Sequence, residues 1–394
     1  MTMPPLVTGP FLALVLGHLL QALGYASMLL LPLYLDHIGA SRTEIGAAMA
    51  AAGIGGIALR PAVGWALDTI GRRPTLVVGT LILCAGMGLL GLVETMGPWV
   101  YVIRVIIGIG VGTLFTGYFT FAADIIPPSR RTEGIALFGI SGLLPLAVNP
   151  FVGTLDLAPE ELRWVFPIIG AIILTSLWVI FSLKEPGPAE GRRDALPLQQ
   201  VLRAFTRPEV RPVWLMTICF SGLVALLMAF ATVAARDRGL PWPESIWLTY
   251  AGGAVAVRVF GARLPARVGP ANLIAPALGA YAAACVIVAE ASQPSAFMWA
   301  GLLGGLGHGF CFPILTAQAI TRHPVAMRGS AMAGFTGLWE LSALAMTPAF
   351  GALADALGDQ AMFAAGAIWA LAGLLPWVLL EHRLPKMREG SEST

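Results

Sequence analysis

The sequence predicts an all-α polytopic membrane protein with twelve transmembrane helices in two pseudo-symmetric six-helix bundles. Composition, the recurrence of long apolar runs and an internal repeat support this prediction. Hydrophobic residues make up 57% of the 394 positions and charged residues 12%, with a mean hydropathy of +0.78. Soluble domains carry about 25% charged residues. A soluble protein this apolar could not cover its surface with polar groups, so a bilayer is the expected solvent.

Apolar runs long enough to cross a bilayer, which takes about 20 residues, recur along the whole chain. The fifth and eleventh of these runs contain prolines, which membrane helices tolerate where neighbours re-satisfy the freed carbonyl. The predicted spans are 8–35, 43–67, 75–95, 98–122, 132–155, 162–183, 209–235, 244–260, 271–289, 293–320, 329–352 and 360–381.

The second half of the chain repeats features of the first half 198 positions later. A polar stretch rich in proline, glycine and charge separates the halves. The predicted units are an N-terminal six-helix bundle (1–183), a cytoplasmic linker (184–208), a C-terminal six-helix bundle (209–382) and a cytoplasmic tail (383–394). A duplicated membrane bundle is the layout of a secondary transporter. The repeat pairs Arg60 with Arg258, Pro150 with Pro348, and Gly153 with Gly351.

Basic residues predict the orientation in the membrane. With both termini inside, 17 of the 24 Lys and Arg residues fall in inner loops and the tail, as the positive-inside rule requires. We expect a multi-pass protein of a bacterial cytoplasmic (inner) membrane, because two lysines against 22 arginines suggest a GC-rich bacterial genome. Residues 1–10 contain no Lys or Arg, so we expect no cleavable signal peptide.

Several classes of partner are not expected from this composition. A net charge of +2 gives no indication of nucleic-acid binding. The four cysteines lie in separate apolar runs, without metal-ligand spacing, so we expect no metal site and no cofactor. Glycine-rich stretches in the fourth and tenth spans lack a preceding strand and a following Lys-Ser/Thr, so we interpret them as helix-packing sites and not phosphate loops.

The loop after the second span carries a Gly-x-x-x-Asp-x-x-Gly-Arg-Arg pattern, formed by Gly64, Asp68, Gly71, Arg72 and Arg73. This pattern and its position resemble the signature loop of the major facilitator superfamily, and the resemblance covers essentially the whole chain. It implies the fold of that superfamily, in which two six-helix halves rock around a central site.

Further segments carry the same resemblance. Asp124 and Arg131 lie in a segment similar to the family's loop after the fourth helix, and Arg104 followed by Gly108 resembles a fourth-helix motif of proton-coupled members. Residues 149–153 resemble a Gly-Pro motif of exporters, with Asn149 in place of the glycine. Residues 308–310 and 328–332 are similar to bacterial sugar-efflux and drug-efflux permeases.

The resemblance implies that the loop after the second span gates the inner side. We expect Asp68 to approach the N-terminus of the eleventh helix, where the helix dipole favours an anion, while an arginine reaches Asp124. The alternative is that these residues only satisfy a turn and the positive-inside rule. The gating candidates are Gly64, Asp68, Gly71, Arg72, Arg73, Asp124 and Arg131.

Ionisable groups inside the membrane are costly, so each needs a partner or a function. Glu340 lies in the middle of the eleventh span. It could be a protonation site or a substrate contact, and the alternative is a structural carboxylate bonded to a neighbouring helix. Arg104 could pair with a carboxylate, bind an anionic group, or extend to the outer surface. Arg60 and Arg258 occupy equivalent places, so we expect a shared structural task such as holding loop carbonyls.

Polar and aromatic residues on cavity-lining spans complete the candidates. His308, and His18 with Gln21, could relay a proton or bind substrate, although packed histidines are the common alternative. Tyr118, with Phe115 and Phe119, could stack on substrate or serve only packing. The proton-coupling or substrate candidates are therefore Glu340, Arg104, His308, His18, Gln21, Asn149 and Tyr118.

The function expected from this pattern is secondary active transport of a small organic solute by alternating access, with proton-coupled efflux (antiport) preferred. A proton-coupled importer or a facilitator of a small metabolite or organic anion is the alternative, with a lipid flippase less favoured. We find no zinc-protease motif, paired intramembrane aspartates or nucleophile elbow, so no enzyme is expected. A proton gradient would supply the energy, and we expect a monomer embedded in the lipid bilayer.

Overall fold

The computed structural model describes residues 5–127, 134, 137–155, 157–185, 206–261, 264–323 and 328–381. The linker between residues 186 and 205, the tail beyond residue 381, and Arg131 lie outside the described residues, as does the side chain of Asp68. The helices are α1 (Gly9–Ser27), α2 (Leu31–His37), α3 (Arg42–Ala58), α4 (Arg60–Thr69), α5 (Arg72–Leu90), α6 (Pro98–Ile125), α7 (Val148–Gly153), α8 (Leu162–Leu174), α9 (Ser176–Ser182), α10 (Arg211–Asp237), α11 (Ser245–Phe260), α12 (Leu264–Val268), α13 (Pro270–Glu290), α14 (Pro294–Thr321), α15 (Arg328–Leu357) and α16 (Asp359–Glu381).

Helical segments occupy the position of every predicted span, which confirms the all-α membrane fold. Among the described residues, eight helices are long and apolar enough to cross a membrane, or nine if the bent pair α3 and α4 forms one span. Shorter apolar helical segments at Gly139–Gly153 and Ser245–Phe260 fill the fifth and eighth positions, and α15 fills the eleventh.

The second span bends by 46° where α3 meets α4. Pro61 is the second residue of α4. A proline has no amide hydrogen, and its ring excludes the carbonyl four residues earlier, so the helix cannot continue straight through it. The bend directs α4 away from the line of α3.

The fifth span is not a regular α-helix. Two 3₁₀ turns, Gly139–Gly142 and Leu144–Ala147, precede the short α7. Pro145 lies in the second turn and Pro150 in α7, and each removes one backbone donor from the α-helical pattern. By contrast, α15 accommodates Pro348 within one continuous helix.

Close helix contacts within each half follow the 198-residue repeat. A methyl group at Gly108 of α6 would collide with the carbonyl oxygen of Ala52 in α3, and one at Gly305 of α14 with the carbonyl oxygen of Tyr250 in α11. Ala52 and Tyr250 are 198 positions apart. Small residues let helix backbones approach closely where lipid gives no hydrophobic drive to pack, so these glycines set the spacing of each half.

The two halves meet mainly at one end of the bundle. We call the end at which α9 stops and α10 starts the linker face, and the other end the opposite face. Contacts between halves join α3 to α15, α2 to α10, and α7 to α11. Because α2, α7 and the start of α3 lie at the opposite face, the halves are closed there, and the contact of α3 with α15 continues from Gly351 beside Arg42 to Glu340 beside Gly56.

Gly108→Ala should destabilise the protein, because the added methyl meets the backbone of Ala52 and cannot be relieved by a side-chain rotation. We expect a loss of about 1–3 kcal/mol, seen as a lower thermal unfolding midpoint of the purified protein in detergent. The matched control is Gly88→Ala in α5, where a methyl group would meet nothing within 4 Å. Equal midpoints for the two variants would contradict this account of the packing.

Candidate functional site: the interface between the two halves

One arginine at the opposite face joins elements of both halves. Arg42 begins α3, and its Nη1 donates to Asp36 Oδ1 at 2.5 Å, while its Nη2 donates to Asp237 at the end of α10. Its Nε lies 3.5 Å from Asp359 Oδ1 at the start of α16. A guanidinium group can engage several carboxylates through its fixed set of donors, so Arg42 connects the first two spans to the seventh and twelfth.

The N-terminus of α3 is capped by a carboxylate from the other half. The backbone amides of Arg42 and Thr43 donate to Asp355 Oδ1 and Oδ2 at 2.9 and 2.8 Å, and Thr43 Oγ1 donates to Oδ2 at 2.5 Å. The first amides of a helix have no partner within the helix, and the helix dipole favours an anion there. Asp355 therefore anchors the second span to the end of the eleventh.

A second contact closes the same face between the fifth and eighth spans. Trp242 Nε1 donates to the carbonyl oxygen of Pro150 at 3.1 Å, and a methyl at Gly153 would lie 2.6 Å from Glu244 Oε2. Trp242 adopts a φ of 55°, an unusual conformation for a non-glycine residue.

These two contacts are related by the repeat. Gly351, the counterpart of Gly153, packs directly on the carbonyl group of Arg42. The Asn-Pro segment identified in the sequence thus lies at the closed opposite face. Asn149 is fully buried there, with its Nδ2 donating to the Leu146 carbonyl oxygen at 3.0 Å and its Oδ1 without a partner among the described residues.

Arg42→Gln should weaken closure of the opposite face, because three carboxylates lose their shared cation. With spin labels on Thr95→Cys and Ser292→Cys, double electron–electron resonance should show a new longer-distance population. Arg163→Gln is the control, because Arg163 pairs with Glu94 at 2.5 Å within the N-terminal half. An unchanged distance distribution in Arg42→Gln would show that this cluster does not hold the halves together.

A second ion pair crosses between the halves deeper in the bundle. Arg60 Nη2 donates to Glu340 Oε1, and Arg60 Nη1 donates to Thr336 Oγ1. The side chains of Arg60 and Glu340 are 21% and 23% exposed. Glu340 Oε2 is buried and accepts no hydrogen bond from the described residues. The pair therefore joins α4 to α15 with one carboxylate oxygen still unsatisfied.

Sequence reasoning treated Arg60 and Glu340 separately and missed this pair. A single sequence carries no signal that joins the second span to the eleventh. Glycines at positions 53 and 56 provide the space, because methyl groups there would lie 3.9 Å from Glu340 Cβ and 3.2 Å from its Oε1.

Arg258 repeats this geometry with a different partner. Its Nη1 donates to the carbonyl oxygen of Gly139 at 2.9 Å, which joins the eighth span to the fifth. Both repeat-related arginines therefore share a task, as the sequence indicated, and that task is to bridge the halves. Arg60 contacts a titratable carboxylate, whereas Arg258 contacts a backbone carbonyl that cannot be protonated at ordinary pH.

Arg104 is buried within the N-terminal half. Its Nε donates to the carbonyl oxygen of Ala48 at 3.0 Å and its Nη2 to that of Met49 at 3.1 Å. No carboxylate of the described residues is hydrogen-bonded to it. Arg104 therefore joins α6 to α3 through these two backbone carbonyls.

The loop between α4 and α5 forms a tight turn at the linker face. Gly71 has a φ of 119°, which favours glycine. The backbone amides of Arg72 and Arg73 donate to Glu185 Oε1 and Oε2 at 2.6 and 2.9 Å. Arg72 Nε donates to Asp124 Oδ2 at 3.0 Å. These contacts hold the loop to the fourth and sixth spans of its own half.

Two further gating candidates, Arg73 and Gly64, lie in or just before this loop. Arg73 stacks on the Phe181 ring, with its guanidinium carbon 5.5 Å from the ring centroid. Gly64 lies within α4, where a methyl group would meet nothing within 4 Å. Glu185 was not predicted from the sequence, because it lies in the polar stretch assigned to the linker.

His18 belongs to an aromatic cluster in the N-terminal half. Its ring lies 4.5 Å from that of Phe138 and 5.6 Å from that of Phe119, and Tyr118 packs on it from α6 at 5.5 Å. His18 Nδ1 is hydrogen-bonded to Ser141 Oγ at 2.6 Å. Tyr118 is fully buried, and its hydroxyl has no partner among the described residues.

His308 belongs to a similar cluster in the C-terminal half. Its Nδ1 is hydrogen-bonded to Tyr250 Oη at 2.7 Å, and Tyr250 Oη to Tyr281 Oη at 2.9 Å. Its ring stacks on Phe312 with centroids 5.6 Å apart, and Trp339 lies 6.3 Å away. The described residues contain no group of three or more His, Cys, Asp or Glu that could hold a metal ion.

Comparison with known proteins places this architecture in a family. The family model described as Major Facilitator Superfamily matches residues 14–333, and again 245–393. An uncharacterised MFS-type transporter of Salmonella typhimurium is 27% identical over 362 residues, which cover 88% of this chain and 89% of that protein.

Solved structures share the fold. The nucleoside transporter NupG superposes with a TM-score of 0.77 at 12% identity, over 96% of this chain and 100% of that one. The human organic anion transporter TETRAN superposes with a TM-score of 0.67 at 20% identity, over 96% of this chain and 100% of that one. At such identities the likeness establishes the fold and not the substrate.

Proposed function

The chain belongs to the major facilitator superfamily of membrane transporters, and on that basis we propose that it exports a small organic solute in exchange for protons. In this proposal the linker face is cytoplasmic, the protein is a monomer of a bacterial inner membrane, and both termini are inside. The proton gradient supplies the energy, and no cofactor takes part. The positive-inside distribution of Lys and Arg supports this orientation.

The contact between Arg60 and Glu340 is the observation that supports proton coupling. It is an ion pair between the two halves, in the interior of the bundle, and Glu340 retains one unpartnered oxygen. Protonation of Glu340 removes the negative charge and therefore the Coulombic part of the contact. The spans that carry the pair, the second and eleventh, also form the closed contact at the opposite face.

Coupling follows from this geometry if the pair has a different strength in the two states of the cycle. A ligand shifts an equilibrium between two conformations only by its differential affinity for them. A proton that binds Glu340 more tightly when Arg60 has moved away favours the state in which the halves separate along α3 and α15. In this proposal the proton favours one conformation and the solute favours the other. The two therefore bind in turn and not together, which is antiport.

An importer or facilitator of a small metabolite is the alternative. The related folds include proteins named as nucleoside, peptide and organic anion transporters. Export is preferred here because the closed face carries the Asn-Pro segment that resembles a motif of exporters. The existence of a solute-dependent pH change shows whether transport is coupled to protons. The sign of that pH change distinguishes antiport from symport.

Glu340→Gln should abolish proton coupling while the protein still folds, because glutamine keeps the shape and can accept a hydrogen bond from Arg60. The protein is reconstituted in liposomes with a trapped pH dye, and a panel of sugars, organic acids and aromatic compounds is added. We expect a solute-dependent pH change in the wild type that falls at least about tenfold in Glu340→Gln, as for loss of an essential proton-transfer group.

Glu290→Gln provides the matched control. Glu290 lies at the end of α13 on the opposite face, bonded to Gln360 Nε2 at 2.7 Å and exposed, so its loss should leave coupling intact. Labelled-solute flux of equal rate in wild type and Glu340→Gln, with no pH change, would identify a facilitator and leave Glu340 structural. A pH change of the opposite sign would identify a symporter.

A further inference from the structure

Each half contains a cluster of aromatic and histidine rings. We call His18, Phe115, Phe119 and Phe138 the N-half cluster, and Phe220, His308, Phe312, Phe335 and Trp339 the C-half cluster. Neighbouring rings in each have centroids 4.5–6.3 Å apart, mostly edge-to-face or tilted.

The two clusters lie at the same depth. Tyr25 Oη donates to Met228 Sδ at 3.2 Å, which joins the first and seventh spans close to the closed face. His18 precedes Tyr25 by seven residues, and Phe220 precedes Met228 by eight. At about 1.5 Å per residue, both lie about 10–12 Å from this contact toward the linker face. The two clusters therefore lie at a similar depth, on the linker-face side of this contact.

Exposure separates these rings from the helix-packing core. Phe115, Phe119, His308, Phe312 and Trp339 are half-buried. Phe119 rests on the buried Phe138, and the half-buried rings of the C-half cluster rest on the buried Phe220 or Phe335, whereas Phe115 contacts Phe119. Each cluster thus combines fully buried rings with partly exposed ones.

Two hydrogen-bond acceptors lie in or beside the N-half cluster. The Ser141 hydroxyl donates to the Phe138 carbonyl oxygen at 2.5 Å, so it must accept from His18 Nδ1. A neutral His18 then keeps Nε2 as an acceptor. Gln21, one turn further along α1, is buried, and its Oε1 has no partner among the described residues.

The clusters carry little charge. Within the part of the chain that the structure describes, no carboxylate or guanidinium group is hydrogen-bonded to a ring of either cluster. Glu340 follows Trp339, but its carboxylate contacts Arg60 in the second span. The Arg258 guanidinium group lies close to both clusters, because it donates to the carbonyl oxygen of Gly139, next to Phe138, and its charge acts on His308.

We propose that the two clusters are the two walls of the substrate site, and that the site selects flat aromatic solutes that carry a hydrogen-bond donor. The solute lies between the Phe119 and Trp339 sides, and its donor faces His18 Nε2 or Gln21 Oε1. Stacking favours planar π systems over saturated rings of the same size. This inference rests on the proposed transport function and assigns its substrate class.

The test is equilibrium binding to the purified full-length protein in lipid nanodiscs, with no pH gradient. The probes are 2-naphthol and decahydro-2-naphthol, which have the same carbon skeleton and the same hydroxyl but differ in aromaticity. We expect the wild type to bind 2-naphthol at least about tenfold more tightly, a difference of about 1.4 kcal/mol. Glucose should not compete.

Phe119→Leu and Trp339→Leu should each weaken 2-naphthol binding by about tenfold and leave decahydro-2-naphthol binding unchanged, because leucine keeps apolar volume and removes the π face. Trp178→Leu is the control: Trp178 in α9 is 84% exposed, away from both clusters. Binding of 2-naphthol to Trp178→Leu should equal that of the wild type. Thermal unfolding midpoints identify any variant that is misfolded.

Equal affinity of the wild type for the two probes, or no binding of 2-naphthol, overturns the inference. The comparison within the wild type decides this even where a variant fails to fold. If the protein transports a sugar with protons but does not bind 2-naphthol, the substrate class is refuted. The proposed transport function is then still supported. Selective 2-naphthol binding without any solute flux would support the site and refute the transport function.

Discussion

Few polar contacts hold the two halves together, and this constraint governs the rest of the molecule. Apolar helices gain little by leaving lipid for one another, so association in a membrane depends on close packing and polar contacts. Within each half, glycines bring the backbones into contact over long stretches. Between halves, Gly46 and Gly351 pack α3 against α15, and polar connections among the described residues include those of Arg42, Asp355, Trp242, Arg60 and Arg258. Each half can therefore move as a unit while the contacts between them are made and broken.

The internal repeat explains why these connections come in pairs. The start of the second span meets the end of the eleventh, and the start of the eighth meets the end of the fifth. Each pair uses the same Pro-x-x-Gly spacing at positions 150 and 153, and 348 and 351. The hydrogen bonds across the two pairs differ in charge: Asp355 accepts from the backbone of Arg42 between the second and eleventh spans, whereas an indole donates to a carbonyl between the fifth and eighth, where Glu244 packs on Gly153. The fold is symmetric, whereas its charge is not.

Much of the fold could be predicted from the sequence, because hydropathy and repeats are local properties. The spans follow from apolar runs, and the bend at Pro61 and the broken fifth span follow from proline chemistry that the sequence displays. The partner of Glu340 could not be predicted, because Arg60 lies 280 positions away and two spans can meet in many ways. Arg104 could not be placed from the sequence either: its Nε and Nη2 donate to backbone carbonyls of α3, its buried Nη1 has no partner among the described residues, and its functional role stays a prediction. The gating role of the loop at Gly71 stays a prediction, since the Asp68 side chain lies outside the described residues.

The asymmetry at Glu340 has a consequence for energetics. Its counterpart in the first half is Gly142, where a methyl group would already lie 3.3 Å from His18 Cε1, so a second carboxylate does not fit there. Under the proposed coupling Glu340 carries the proton, which gives a stoichiometry of one proton per cycle. Exchange of one proton for an uncharged solute moves one elementary charge across the bilayer, worth about 2.3 kcal/mol per 100 mV. Such a transporter would be electrogenic, so membrane voltage would drive it even where the pH is equal on both sides.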